Sequence, residues 1–385
     1  MNATNKFTRP IMKKISRLFK CLAGLVLLMV QGCNQPQEAQ DQNREVPGTD
    51  YAFSELFLPV PLKAKFIEEG YETWGGSMIR TGDGTCHLFY SRWPSEAGHR
   101  GWVSRSEVAH ATSEHPLGPY EFRDVALPYR GENFWDGMMT HNPTIHCFGN
   151  QYFLYYTGTR GDTLLPDEEK YWNHRNNQRI GVAVASSPNG PWVRFDNPLI
   201  DVSTDPGASD ALITTNPSVV KRPRGGFLMV YKAAAKDPSK ENLAGPVVHR
   251  VAMAEHPEGP FTKQPGDIFT GGDEFFPAED PFIWYQNDRY LAIVKDMNGT
   301  FTDHGRALVL FESVDGLNWQ LCKKPLVSNL KLTWADGTNE TFQRLERPQL
   351  WFENKVPSVI CVAVMDVTGR SYHIQVPLNA HLPIR

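Results

Sequence analysis

Acidic side chains in this chain recur at one kind of place. Glu279 and Asp280 stand directly before Pro281, and Glu346 stands before Arg347-Pro348. Matching positions elsewhere carry His141-Asn142 before Pro143 and Thr215-Asn216 before Pro217; Asp136 and Asp210 each lie six residues before one of those Asn residues. Carboxylates gathered from distant parts of a chain shift one another's pKa values. One can then hold a proton while another stays ionised, which is the division of labour that proton-transfer catalysis needs. Taken singly, each such acid is equally a turn cap; the gathering of Arg, Lys and His around the same places argues for a site.

The elements that must position these residues repeat. "HNPTIHC", "YFLYYTG", "RIGVAVASS" and "WVRF" read as four short strands joined by turns, and the same order returns as "TNPSVVK", "FLMVYK", "HRVAMAEH" and "FTK", then as "EDPFIWY", "YLAIVKD", "RALVLFES" and "WQLC". A first copy begins at "GGSMIR" and a last one at "ERPQLWF". With Ser77, Pro143, Pro217, Pro281 and Pro348 as equivalents, the period is 64 to 74 residues. That suits propeller blades with long loops. A turn written "SSPNGPW", "HPLGPY", "HPEGPF" and "SVDGLNW" joins third to fourth strands in four copies, its aromatic residue packing between blades. The expected fold is an all-β, five-bladed propeller of four-stranded antiparallel blades over residues 51–385, with Tyr51–Val60 supplying the strand that the last blade lacks.

In a propeller the first strands line the axis, and antiparallel pairing returns second-strand ends and third-strand starts to the same face. Besides the acids, that face is expected to collect His141, Asn142, Asn216, Arg92, Trp93, Arg175, Lys232, Lys295 and Arg347, with His99, Arg100 and Arg306 beside them. Trp74, Trp102 and Trp172 offer apolar platforms.

The "x-Asp-Pro" and "Glu-x-Pro" strand starts, followed by an apolar strand and an aromatic hairpin, resemble the five-bladed propeller glycoside hydrolases of the arabinanase, levansucrase and invertase superfamily. Families 43 and 117 are nearest in style, and the likeness spans about residues 60–380. In this resemblance "AEDPFIW" carries the tuning aspartate, Asp280, and "ERPQLWF" the general acid, Glu346. The first blade of those families holds the base in an Asp-Pro start, whereas this chain has "WGGSMI". The base is then expected from a loop, as Asp136 in preference to Asp210; Glu279 is the rival acid, and His141 matches an acid thought to serve in some family 117 members. The resemblance implies an exo-acting hydrolase that removes a terminal sugar from plant or algal oligosaccharides, with no required cofactor and no catalytic metal but with room for a structural cation on the axis. The Arg and His of the rim point to uronic or sulfated substrates. A glycoside phosphorylase and a non-catalytic sugar-binding propeller are the alternatives.

Composition argues against nucleic-acid binding, and the N-terminus points to export. The 385 residues carry a formal net charge of −4. Lys13, Lys14, Arg17 and Lys20 precede the apolar run "CLAGLVLLMV", which ends at Gln31-Gly32-Cys33, the pattern of a bacterial lipoprotein signal over residues 1–33 with Cys33 lipidated. Residues 34–50 read as a polar tether. The expected location is the cell envelope, on the periplasmic side or the outer-membrane surface, with the membrane as a partner through the lipid. Cys86, Cys147, Cys322 and Cys361 lack metal-type spacing and are expected as buried thiols with at most one bridge.

Overall fold

The computed structural model describes residues 52–380, apart from 238 and 240–244. The signal segment, the tether and Cys33 lie outside the described residues. Among these, five four-stranded antiparallel sheets form the blades of a propeller. Blade 1 comprises Tyr71–Arg80, Cys86–Pro94, Glu107–Ser113 and Glu121–Leu127; blade 2, Met139–Phe148, Gln151–Thr159, Arg179–Ala185 and Val193–Arg194. Blade 3 comprises Ile213–Lys221, Phe227–Ala234, Val247–Ala254 and Thr262–Lys263; blade 4, Ala278–Gln286, Arg289–Asp296, Leu308–Ser313 and Gln320–Ser328. Blade 5 has Arg344–Glu353, Val356–Met365 and Ser371–Pro377, and its outer strand comes from the start of the domain.

That outer strand is Lys65–Phe66, paired with Ile374 and His373, rather than the expected Tyr51–Val60. Pro59 and Pro61 flank Val60 and cannot donate to a ladder, so this stretch is a poor strand. It instead forms a 3-10 turn, Phe53–Leu56, whose Phe53 is fully buried against Trp284, and makes two isolated bridges, Phe57 to Leu378 and Val60 to Trp334. The closure therefore has two parts: a short strand on blade 5 and an apolar plug between blades 4 and 5.

The repeated turn lies between third and fourth strands. Its glycines Gly118, Gly190, Gly259 and Gly316 have φ between +76° and +85°, which the absence of a Cβ makes accessible. Trp192, the aromatic residue of the blade 2 copy, packs edge-on against Phe89 of blade 1 at 5.4 Å. Cys86, Cys322 and Cys361 are buried free thiols, as expected, and Cys147 is half-buried near its hairpin turn.

Two loops rise from the face that carries second-strand ends. Residues 95–105 leave blade 1 as two 3-10 turns and a short helix, α1 (Trp102–Arg105); residues 160–178 leave blade 2 and contain α2 (Asp167–Asn176). No helix among the described residues is long and apolar enough to cross a membrane.

Candidate active site

Each first strand carries a bulge at the axis. Register breaks between Trp74 and Ser77, His141 and Thr144, Thr215 and Ser218, Glu279 and Phe282, and Glu346 and Gln349. The bulged residues Gly75, Asn142, Asn216, Asp280 and Arg347 have φ between +51° and +60°. Such a bulge turns two successive side chains towards the same space, which a regular strand forbids. The alignment that equated Ser77 with Pro143 is therefore off by one: Gly75 answers to Asn142, and Trp74 to His141.

The bulged residues form a ring round the axis. Asn142 Nδ2 donates to Asn216 Oδ1 at 2.9 Å, and Asn216 Nδ2 donates to Asp280 Oδ1 at 2.6 Å. Arg347 Nη1 lies 3.6 Å from Asp280 Oδ1, and its Nη2 donates to the Asn142 carbonyl at 3.2 Å. Gly75 leaves the space that Arg347 uses, since a Cβ there would sit 2.8 Å from Asn142 Oδ1 and 3.4 Å from Arg347 Nε. The cation among these side chains is thus the protein's own guanidinium.

Above the ring lies a second tier: Trp74, His141, Thr215, Glu279 and Glu346, on the floor of a cavity of about 340 Å³. Oxygens of Glu279, Asp280 and Glu346 all lie within 4.8 Å of one another. As a donor set this does not fit a metal ion, because every carboxylate already faces a cation of the chain. Lys232 Nζ binds Glu279 Oε1 at 2.5 Å, and Lys295 Nζ is 3.4 Å from Glu279 Oε2 and in close contact with Glu346 Oε1. Arg344 Nη1 donates to Glu346 at 3.4 Å.

The same cross-strand position links each of blades 1 to 4 to the blade that follows it. Ser91 Oγ accepts from the Asn142 N–H at 2.7 Å; Thr157 Oγ1 meets Thr215 Oγ1 at 2.8 Å; Lys232 and Lys295 reach Glu279 and Glu346 of the next blade. Hydroxyls join the early blades, and ion pairs join the late ones.

Burial raises the cost of ionising Glu279, but Lys232 and Lys295 overcome it and hold the carboxyl well below its usual range. Asp280 moves the other way, up to about 6, through desolvation and the neighbouring Glu279 charge. His141 is buried, stacks on Trp102 at 5.0 Å, and shares a 2.8 Å hydrogen bond between its Nδ1 and Ser106 Oγ. Desolvation and Arg347 push its imidazole well below the usual value, so it stands neutral rather than as a charged acid. His99, edge-on to Trp74 at 5.2 Å, is pushed down to about 4 by burial and Arg344.

The structure brings together most of the expected residues and moves Asp136, Asp210, Arg92 and Trp172 away from the cavity. Glu279, Asp280, Glu346, His141, Asn142, Asn216, Trp93, Arg175 and Lys232 line the cavity with Lys295, and Arg347 lies in the ring beneath. Asp136 is not among them. It has no exposed surface, and it is held by Arg130, by Arg194 at 3.4 Å and by the Tyr156 hydroxyl at 2.6 Å. Asp210 repeats this arrangement with Arg250 at 3.1 Å, Lys263 at 2.6 Å and the Tyr231 hydroxyl at 3.1 Å. Both are clamps tying the approach to a first strand to the later strands of its blade, and neither lines the axial cavity. Arg92 is likewise structural, buried between Glu68 and Glu107.

Arg344, Gln178, Tyr171 and Phe276 also line the cavity and were not expected. Arg344 was legible in principle, since it lies two residues before Glu346 on one strand and so on the same side. Asp296, fully buried, accepts from the backbone N–H groups of Thr300, Phe301 and Thr302 at 2.8, 3.0 and 2.9 Å. It shapes the loop between Met297 and Arg306, both of which reach the cavity.

The fold and this axial site define a five-bladed propeller of the kind found in glycoside hydrolases. Among solved structures, the chain is similar to Zg3597, a family 117 glycoside hydrolase of the marine bacterium Zobellia galactanivorans, at 17% identity and a TM-score of 0.55 over 84% of this chain and 90% of that one. It is similar to a further glycoside hydrolase at 12% identity and TM-score 0.63, covering 85% and 93% of the two chains. The arabinanase Arb43A of Bacillus subtilis matches at 12% identity and TM-score 0.53, covering 82% and 95%. No family model and no curated protein matches the sequence.

Proposed function

We propose that the protein is an exported, exo-acting glycoside hydrolase that removes a terminal sugar from anionic oligosaccharides of plant or algal origin. The observation that carries this reading is the meeting of Glu279, Asp280 and Glu346 on the floor of one cavity at the propeller axis. Glycoside hydrolysis is carried out by carboxyl pairs flanking the scissile bond, with a neighbour tuning their protonation. Glu279, kept ionised by two lysines, suits the base or the stabiliser of positive charge on the sugar ring. Glu346 is the general acid, and its close partner Lys295 also lies 3.4 Å from Glu279. Asp280 tunes both from the ring below.

Six Lys and Arg side chains line the cavity against three carboxylates, in a molecule of net charge −4. This local excess favours a carboxylated or sulfated sugar. The glycoside hydrolases that this chain resembles in fold support the sugar chemistry, and the charge of the cavity supports the class of substrate. Anchoring of Cys33 in the cell envelope is proposed from its signal sequence alone.

The Lys–Glu pairing also supports a second reading, a sugar-binding propeller or a phosphorylase, because both glutamates face cations of the chain while Arg175 and Arg306 line the same cavity and suit phosphate. Incubation with a panel of uronic and sulfated oligosaccharides, with reducing ends measured in phosphate-free buffer, separates these. Sugar release without phosphate is the expected result. Binding without cleavage, or cleavage only with phosphate, overturns the hydrolase.

A further inference from the structure

The loops rising from blades 1 and 2 meet beside the cavity. Resting on the glycosidase reading, we propose that the Arg100–Glu168 ion pair is a latch that holds these loops together as one wall, and that this wall restricts the cavity to chain ends. The pair is bidentate: Arg100 Nη1 donates to Glu168 Oε2 at 3.0 Å and Nη2 to Oε1 at 3.3 Å. The guanidinium also lies 3.9 Å from the Tyr171 ring centroid, and Trp172 Nε1 donates to Glu168 Oε1 at 2.8 Å. One interaction thus joins the 95–105 loop to α2 and fixes the aromatic residues of that helix.

Both partners of this wall face the cavity. Arg100 and Trp102 line it from blade 1; Tyr171 and Arg175 line it from blade 2. With the wall in place, a sugar chain passing sideways across the rim meets protein on that side, while a chain end entering along the axis does not. The latch lies in solvent, with side chains 59% and 63% exposed. Exposed ion pairs are individually weak and screened by salt, so this one can open without unfolding a blade. A wall of buried apolar contacts could not. The stacking on Tyr171 and the two parallel hydrogen bonds give the latch geometric selectivity despite its exposure.

Sub-second hydrogen-exchange labelling of the full chain tests the latch without needing a substrate. In Arg100→Ala and in Glu168→Ala, amides of α2 and of residues 95–105 should exchange at least about tenfold faster while the blades stay unchanged; the reversed pair Arg100→Glu/Glu168→Arg should restore them. Wild-type exchange in both single variants, or no restoration in the reversed pair, overturns the latch. The reversed pair also separates a latch from a direct substrate contact by Arg100, which reversal would abolish. Product sizes from hexagalacturonate test the wall: monomer from the wild type, and an internal-product share at least about fivefold larger in Glu168→Ala. Single variants that stay strictly exo-acting refute the wall. A wild type that cleaves no oligosaccharide of the uronic and sulfated panel refutes the glycosidase reading instead, and the exchange result then decides the latch by itself.

Discussion

Replacing Lys295 with Met isolates the electrostatics of the cavity floor. The ammonium is fully buried and stands between Glu279 and Glu346. At an effective dielectric constant of about 20, unit charges at the 3.4 Å Lys295–Glu279 separation attract by about 5 kcal/mol. Desolvation offsets part of this, and removing one partner of a buried pair typically costs about 3–5 kcal/mol, so a loss of about 4 kcal/mol is expected at pH 7.5. At about 2 °C per kcal/mol for a large domain, that is a fall in Tm of about 8 °C. The loss should depend on pH. In the wild type the depressed pKa of Glu279 contributes stability above the unfolded-state value of about 4.3, and that stability is lost as pH falls towards the depressed value. Without Lys295 the folded-state pKa of Glu279 moves up, so acid relieves the variant by neutralising the crowded carboxyls. The difference in unfolding free energy between wild type and variant should therefore be largest near neutrality and shrink below about pH 5. Urea unfolding from pH 4 to 8 measures it, and Glu346→Gln in the Lys295→Met background should recover part of the loss at pH 7.5. A pH-independent deficit, with no recovery in the double variant, refutes the charge network.

The remaining predictions concern residues with contrasting roles. Glu346→Gln should keep its fold by circular dichroism and lose about 10²–10⁴-fold in turnover; Asp136→Ala should lose about 3–5 kcal/mol in urea unfolding, because it strands Arg130 and Arg194. Gly75→Ala meets both a φ of +60° and the 2.8 Å approach to Asn142, so a stability loss of at least about 2 kcal/mol is expected by thermal unfolding. Asp280, raised to about 6, binds its proton more tightly folded than unfolded, so its ionisation reduces stability as pH rises from about 4 to 6. Asp280→Asn should flatten that part of the stability–pH curve, and an unchanged slope would assign it to other groups.

The blades were legible in the sequence because strand alternation and a repeated Gly turn are local signals. The tiers of the site were legible only where Pro marked the bulge. Blade 1 has Gly75-Gly76 instead, which is why the alignment slipped by one and Trp74 was not placed opposite His141. Asp136 and Asp210 show a different limit. Their distance from a strand start says they come near the rim, but the direction of the side chain is set by Arg194 and Lys263 on fourth strands, whose pairing no local pattern reports. Arg92 failed for the same reason: Glu68, its partner, belongs to the segment before the first blade. The lysine bridges were visible as rim cations but not as links between blades, since that depends on which blade lies next around the axis.

The ring of Asn142, Asn216, Asp280 and Arg347 has a consequence for biosynthesis. Its first three members are made early, but Arg347 belongs to the last blade to leave the ribosome, and Glu346 arrives with it. Blades 1 to 4 of a nascent chain cannot assemble a working floor, whatever their own degree of folding. Before the final blade docks, Asp280 lacks its guanidinium partner and the cavity lacks one wall. Formation of the axial floor thereby waits for completion of the whole domain, and a chain truncated anywhere before residue 347 cannot form it.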